Sequence, residues 1–129
     1  MRMDYSRVIN KLTESYTRQH ERYMELHVIV QKILGQIAIS RGDFSGVMGL
    51  FEKKQQLLDV IEKEREAIKP DIEYWQNEKK FITASEAVTR LNTILAETES
   101  SIKSFLEAED QLQRYLEHHL PQKGNPSTT

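Results

Sequence analysis

A chain of 129 residues fits one domain, and 38% hydrophobic residues suffice for a core, though a thin one in an elongated shape. It contains no cysteine, which excludes disulfides, thiolate nucleophiles and zinc–thiolate sites. Eighteen basic and twenty acidic residues leave a formal charge of −2, so no general attraction to nucleic acid or to an anionic membrane is expected.

Apolar residues never alternate with polar ones for long enough to make a strand, and proline occurs only at Pro70, Pro121 and Pro126, so the fold class read here is all-α. The opening residues, MRMDYSRVINKLTESY, have no apolar core of signal-peptide type, and no apolar run approaches membrane-spanning length. The expectation is a cytoplasmic protein without membrane insertion. Charge is uneven along the chain, with seven basic and four acidic residues in 1–42 but four and seven in 83–129. A basic first segment beside an acidic last one is one reading of this; solvated faces are the plainer one.

From Tyr5, the positions Ile9, Leu12, Tyr16, Gln19, Tyr23, Leu26, Val30, Ile33 and Ile37 follow alternating steps of four and three. That is the repeat of a coiled-coil seam, and it predicts a helix over about 4–40. Gly42 is suited to a left-handed residue ending that helix, and Asp43 to capping the next. The Arg41-Gly42-Asp43 triplet therefore reads as turn chemistry. Gly46 and Gly49 each cost about 1 kcal/mol relative to Ala in a helix, and either permit close helix approach or leave the first turn loose.

The second helix is predicted over 44–69, carrying Phe44, Val47, Phe51, Leu58, Ile61 and Ile68 in its seam, with Lys54 and Arg65 interrupting it. Pro70 predicts a kink or break there, after which Ile72, Trp75, Phe81 and Ile82 continue an apolar stripe over 71–81. Thr83-Ala84-Ser85-Glu86 has the form of a capping box and starts a third helix over 84–120. Its seam is Val88, Leu91, Leu95, Thr98, Ile102, Phe105, Glu109, Leu112 and Leu116. Residues 121–129 have nothing to bury and are expected to be disordered. Short connections make the helices antiparallel neighbours, so residues 1–120 are expected to form one elongated up-down-up bundle.

Catalytic chemistry is not apparent. No Glu-x-x-His motif precedes His20, His27, His118 or His119, so a ferritin-like di-iron site is not predicted and no metal or other cofactor is expected. The glycines near Gly46 lack the Gly-Lys-Ser/Thr of a phosphate loop, and the basic residues of the second helix are interspersed with acidic ones, unlike a DNA-binding stripe. What remains is apolar surface on the third helix, where Leu106, Leu112, Tyr115, Leu116 and Leu120 join Ile102 and Phe105 on more than one narrow face. Such a helix can pack on its own bundle with one side and receive a partner helix with the other; the alternative is that both sides bury into this chain or into a homodimer.

The order of a long helix, then Gly42-Asp43, Lys54 and Leu57-Leu58 in GDFSGVMGLFEKKQQLLDVIEKER, then a terminal amphipathic helix, resembles the FlgN family of bacterial flagellar export chaperones. The resemblance spans about residues 5–118. It implies a non-enzymatic chaperone that holds flagellar hook-associated (hook–filament junction) proteins before export and delivers them to the type III export gate. It places the client contact on the C-terminal helix, at Leu95, Ile102, Phe105, Leu112, Tyr115 and Leu116. Pro70 and the group Tyr74, Trp75 and Phe81 have no counterpart in that pattern. The alternative is a structural coiled-coil module that uses the same apolar excess to form a homodimer.

Overall fold

The computed structural model describes residues 5–41 and 44–119. They form three long helices, α1 (Tyr5–Ser40), α2 (Met48–Glu78) and α3 (Glu86–His119), with no strand among the described residues. The arrangement is the expected all-α antiparallel bundle. α1 runs against α2 and parallel to α3: its N-terminal half packs with Ile68, Trp75, Leu91 and Ile94, and its C-terminal half with Val47, Ile61, Phe105 and Leu112. α1 is the central helix, touching α3 most extensively and α2 less. No Cα of α2 lies within 8 Å of a Cα of α3 among the described residues. Close-packed helix axes lie about 8–10 Å apart, so α2 and α3 meet only through long side chains.

The α1 seam matches the spacing read from sequence, with Leu26, Val30, Ile33 and Ile37 all at zero exposure. Burying each such side chain contributes about 1.5–3 kcal/mol. The core, however, is not continuous. A polar waist of Ser15, Gln19, Thr98 and Ser101, all buried, separates the two apolar clusters. Its groups are satisfied, as buried polar groups must be. Thr98 Oγ1 donates to the Ile94 carbonyl at 2.6 Å, with the Tyr16 carbonyl of the neighbouring helix at 3.1 Å. Ser101 Oγ donates to the Thr98 carbonyl at 2.8 Å. Ser15 Oγ donates to Glu64 Oε1 at 2.7 Å and accepts from Gln19 Nε2 at 3.4 Å. Glu64 also receives Arg18 Nε at 3.2 Å and the Arg22 guanidinium. Burial works against the Glu64 charge, but the hydrogen bonds from Ser15, Arg22 and Arg18 outweigh it and hold the carboxyl below its ordinary range.

Several local expectations are corrected. α2 begins at Met48 rather than near residue 44, after a single 3₁₀ turn over Ser45–Val47. It then runs through Pro70 without a break. Pro70 and Glu66, whose carbonyl loses its hydrogen-bond partner, are both exposed, so the freed group lies on the solvent side of the helix. Ser85, not Thr83, caps α3: the Val88 amide donates to Ser85 Oγ at 3.3 Å and the Thr89 amide to the Ser85 carbonyl at 3.0 Å. The start is delayed because Ile82 is extended and packs on the lower cluster, which carries the chain past Thr83. At the first corner Arg41 is left-handed, with φ 57°; Gly42 and Asp43, expected at the helix end and the next cap, lie outside the described residues. Neither Gly46 nor Gly49 serves close helix approach. A Cβ at Gly46 would meet only Gln36 Oε1 at 3.8 Å, and one at Gly49 would meet nothing within 4 Å.

The aromatic group near Pro70 divides. Trp75 is buried in the lower cluster, and Tyr74 lies against Tyr5 with ring centroids 6.2 Å apart. Phe81 departs from the predicted stripe: it is exposed, with the Lys80 ammonium 5.1 Å from its ring centre. The basic first helix pairs with α2 rather than with acidic α3, through Lys11–Asp71, Arg18–Glu64, Arg22–Glu64 and Glu25–Lys53. The expected disordered tail, 121–129, lies outside the described residues.

Candidate helix-binding face

The residues expected to contact a partner split by position. Phe105 and Leu112 are core, at 4% and 2% exposure, with the Phe105 ring centre 5.9 Å from that of Tyr23. They hold α3 on the bundle and offer no surface to a partner. Leu95 is half-buried against the lower cluster, and Ile102, Tyr115 and Leu116 are half-buried against the upper one. The buried line on α3 runs through Leu91, Ile94, Thr98, Ser101, Phe105, Ala108 and Leu112. The predicted seam shares four of these but lacks Ile94, Ser101 and Ala108, and it includes Leu95, Ile102, Glu109 and Leu116 on the flank toward α2.

One ion pair fixes how that flank faces α2. Lys54 Nζ lies 2.7 Å from Glu109 Oε1, and the Lys54 side chain is only 14% exposed. The two charged residues that interrupt the seams of α2 and α3 thus neutralise each other across the gap. Residues three, four or seven places away share a helix face. Phe51 and Leu58 therefore border the gap from α2, and Ile102, Leu106 and Leu116 from α3. Phe51, Leu58, Ile102 and Leu116 are all half-buried, whereas Leu106 is 57% exposed.

Leu106 sits in an open cleft of about 730 Å³ on the outward side of α3, with Ile102 and Ala96 supplying apolar surface and Glu99, Lys103 and Asp110 polar surface. A small-molecule site encloses most of its ligand. This cleft is lined by one helix alone, and its form suits an elongated partner. Ser100 joins it to a second cleft of about 320 Å³ between α1 and α3, lined by His20, Met24, His27, Glu97 and Ser104. Met24 and Val28 of α1 are about half exposed, so apolar surface continues on that side. His20 Nδ1 is buried there without a hydrogen-bond partner in the described residues. No group of three or more His, Asp or Glu among the described residues is placed to hold a metal ion, and no helix among them is long and apolar enough to cross a membrane. The sequence named Leu106 only as one of several apolar positions. Its exposure became readable once Ile94, Ser101 and Ala108 were seen to set the angle at which α3 meets α1.

Comparison of the chain with protein-family models, with curated proteins and with solved structures finds no match.

Proposed function

We propose that this protein is a non-enzymatic chaperone that covers one amphipathic helix of a client, in the manner of a cytoplasmic flagellar export chaperone holding a hook–filament junction subunit before type III export. The observation that carries this reading is the outward face of α3: exposed Leu106 and its half-buried neighbour Ile102 line an open cleft to which no other helix contributes a residue. The Lys54–Glu109 pair and the half-buried side chains beside it close the space between α2 and α3, so the place for a fourth helix is the outward side of α3, over Leu106. A client helix that stays unfolded before assembly exposes an apolar stripe, and covering that stripe prevents premature association. The resemblance carried by Gly42-Asp43, Lys54, Leu57-Leu58 and the terminal helix supports the choice of client.

Co-expression with a hook-associated junction protein, followed by gel filtration, tests the proposal. A stable complex is expected from the unmodified chain and not from Leu106→Asp. A complex that survives Leu106→Asp removes the proposed face, and no complex with any junction protein removes the client. Light scattering separates the alternative, because a concentration-independent homodimer indifferent to clients identifies a structural module.

A further inference from the structure

The rim of the α3 face says more about the partner than its apolar centre does. α3 carries seven acidic and three basic residues. Three of these charges are already engaged, Glu109 with Lys54, and Arg114 with Asp110 at 3.1 Å. Glu99 and Glu107 are exposed and make no ion pair or hydrogen bond among the described residues. With Asp110 they border Leu106, and Lys103 is the one cation in the cleft lining. We propose that this face takes an amphipathic helix whose apolar stripe is bordered by Lys or Arg, two of them seven or eight residues apart. That spacing is set by Glu99 and Glu107, which stand about 12 Å apart along α3 at ~1.5 Å per residue. The inference rests on the helix-binding reading above and adds the charge of the partner to it.

The same geometry opposes a second copy in the register centred on this cleft. A two-fold interface sets a patch against itself. Pairing α3 with its own copy antiparallel about Lys103 brings Glu99 onto Glu107, a like-charge juxtaposition that a basic partner converts into attraction.

The test uses the full chain and two labelled peptides that share one helical apolar stripe and differ only in whether Lys or Glu borders it. Fluorescence anisotropy is expected to show the Lys-bordered peptide binding about tenfold more tightly at low salt, the combined effect of exposed ion pairs at Glu99 and Glu107 in place of like-charge contacts there. That preference should shrink as salt shortens the screening length. Glu99→Lys combined with Glu107→Lys should reverse the preference, and Leu106→Asp should weaken both peptides. Equal binding of the two peptides, lost in Leu106→Asp, overturns the charge rule and leaves helix binding intact. Absence of binding by either peptide overturns both.

Discussion

Phe105 and Leu106 are neighbours in sequence with opposite surroundings, and truncating each in turn tests how α3 is rotated on the bundle. Phe105 is 4% exposed and packs on Tyr23. Its replacement by Ala leaves a cavity in the upper cluster and is expected to cost about 3–5 kcal/mol. A domain of this size holds roughly 5–15 kcal/mol in total, so the midpoint of urea unfolding should fall steeply. Leu106 is 57% exposed. Full burial of a leucine contributes about 1.5–3 kcal/mol, so less than half of that is at stake in the folded chain, and Leu106→Ala should cost about 1 kcal/mol or less. The remainder is gained only when a partner covers it, so the same variant should lose about 1 kcal/mol of binding, or roughly fivefold in affinity. Circular dichroism in urea measures the first pair of numbers and anisotropy the last. If Leu106→Ala destabilises the chain as much as Phe105→Ala, α3 turns a different face to the core and the proposed partner surface is wrong.

Two other perturbations read the interior. Glu64→Gln removes a negative charge from Arg18 and Arg22 but leaves an acceptor for Ser15, and should cost about 1–2 kcal/mol at neutral pH after allowance for the exposure of Arg18. Because the Glu64 carboxyl is held below its ordinary value of 4.5, its contribution is complete above that value and is lost as pH falls through the folded one. Unfolding curves of the two proteins should therefore converge in acid, and a difference that persists at the lowest pH contradicts the assignment. Gly35→Ala, on the exposed side of α1 five residues before its end and with nothing within 4 Å of a Cβ, should raise stability by up to about 1 kcal/mol, whereas Gly49→Ala, only the second residue of α2, should gain less. A loss of stability at Gly35 would mean that the helix face there is covered.

Most of α1 was legible because a single run of large apolar residues meets both neighbours, and even Gln19 keeps the rhythm by bonding to Ser15 inside the waist. α3 was harder to read. Three of its seven buried residues are Thr98, Ser101 and Ala108, small or polar side chains that permit close packing but leave little trace in a hydrophobic pattern. Thr98 and Glu109, the polar members of the predicted seam, are a buried hydroxyl within reach of two carbonyls and an anion paired with Lys54. Position on a helix wheel gives angle relative to the chain, and only the neighbouring helix decides which angle is inside. Thr83 and Ser85 are equally good caps by composition, and the packing of Ile82 chose between them.

The central place of α1 has a consequence for the order in which the molecule assembles. Its contacts with α2 close a hairpin through a short corner, whereas those with α3 join residues far apart in the chain, as in the bond from Thr98 to the Tyr16 carbonyl across 82 positions. Loop closure over that distance costs entropy before any contact offsets it. The α1–α2 hairpin is therefore expected to form first with one side of α1 uncovered, and α3 to dock after it. During synthesis the uncovered side of α1 waits until the segment bearing Leu91 to Leu112 has emerged, and the outward face of α3 takes its final direction only at that last step.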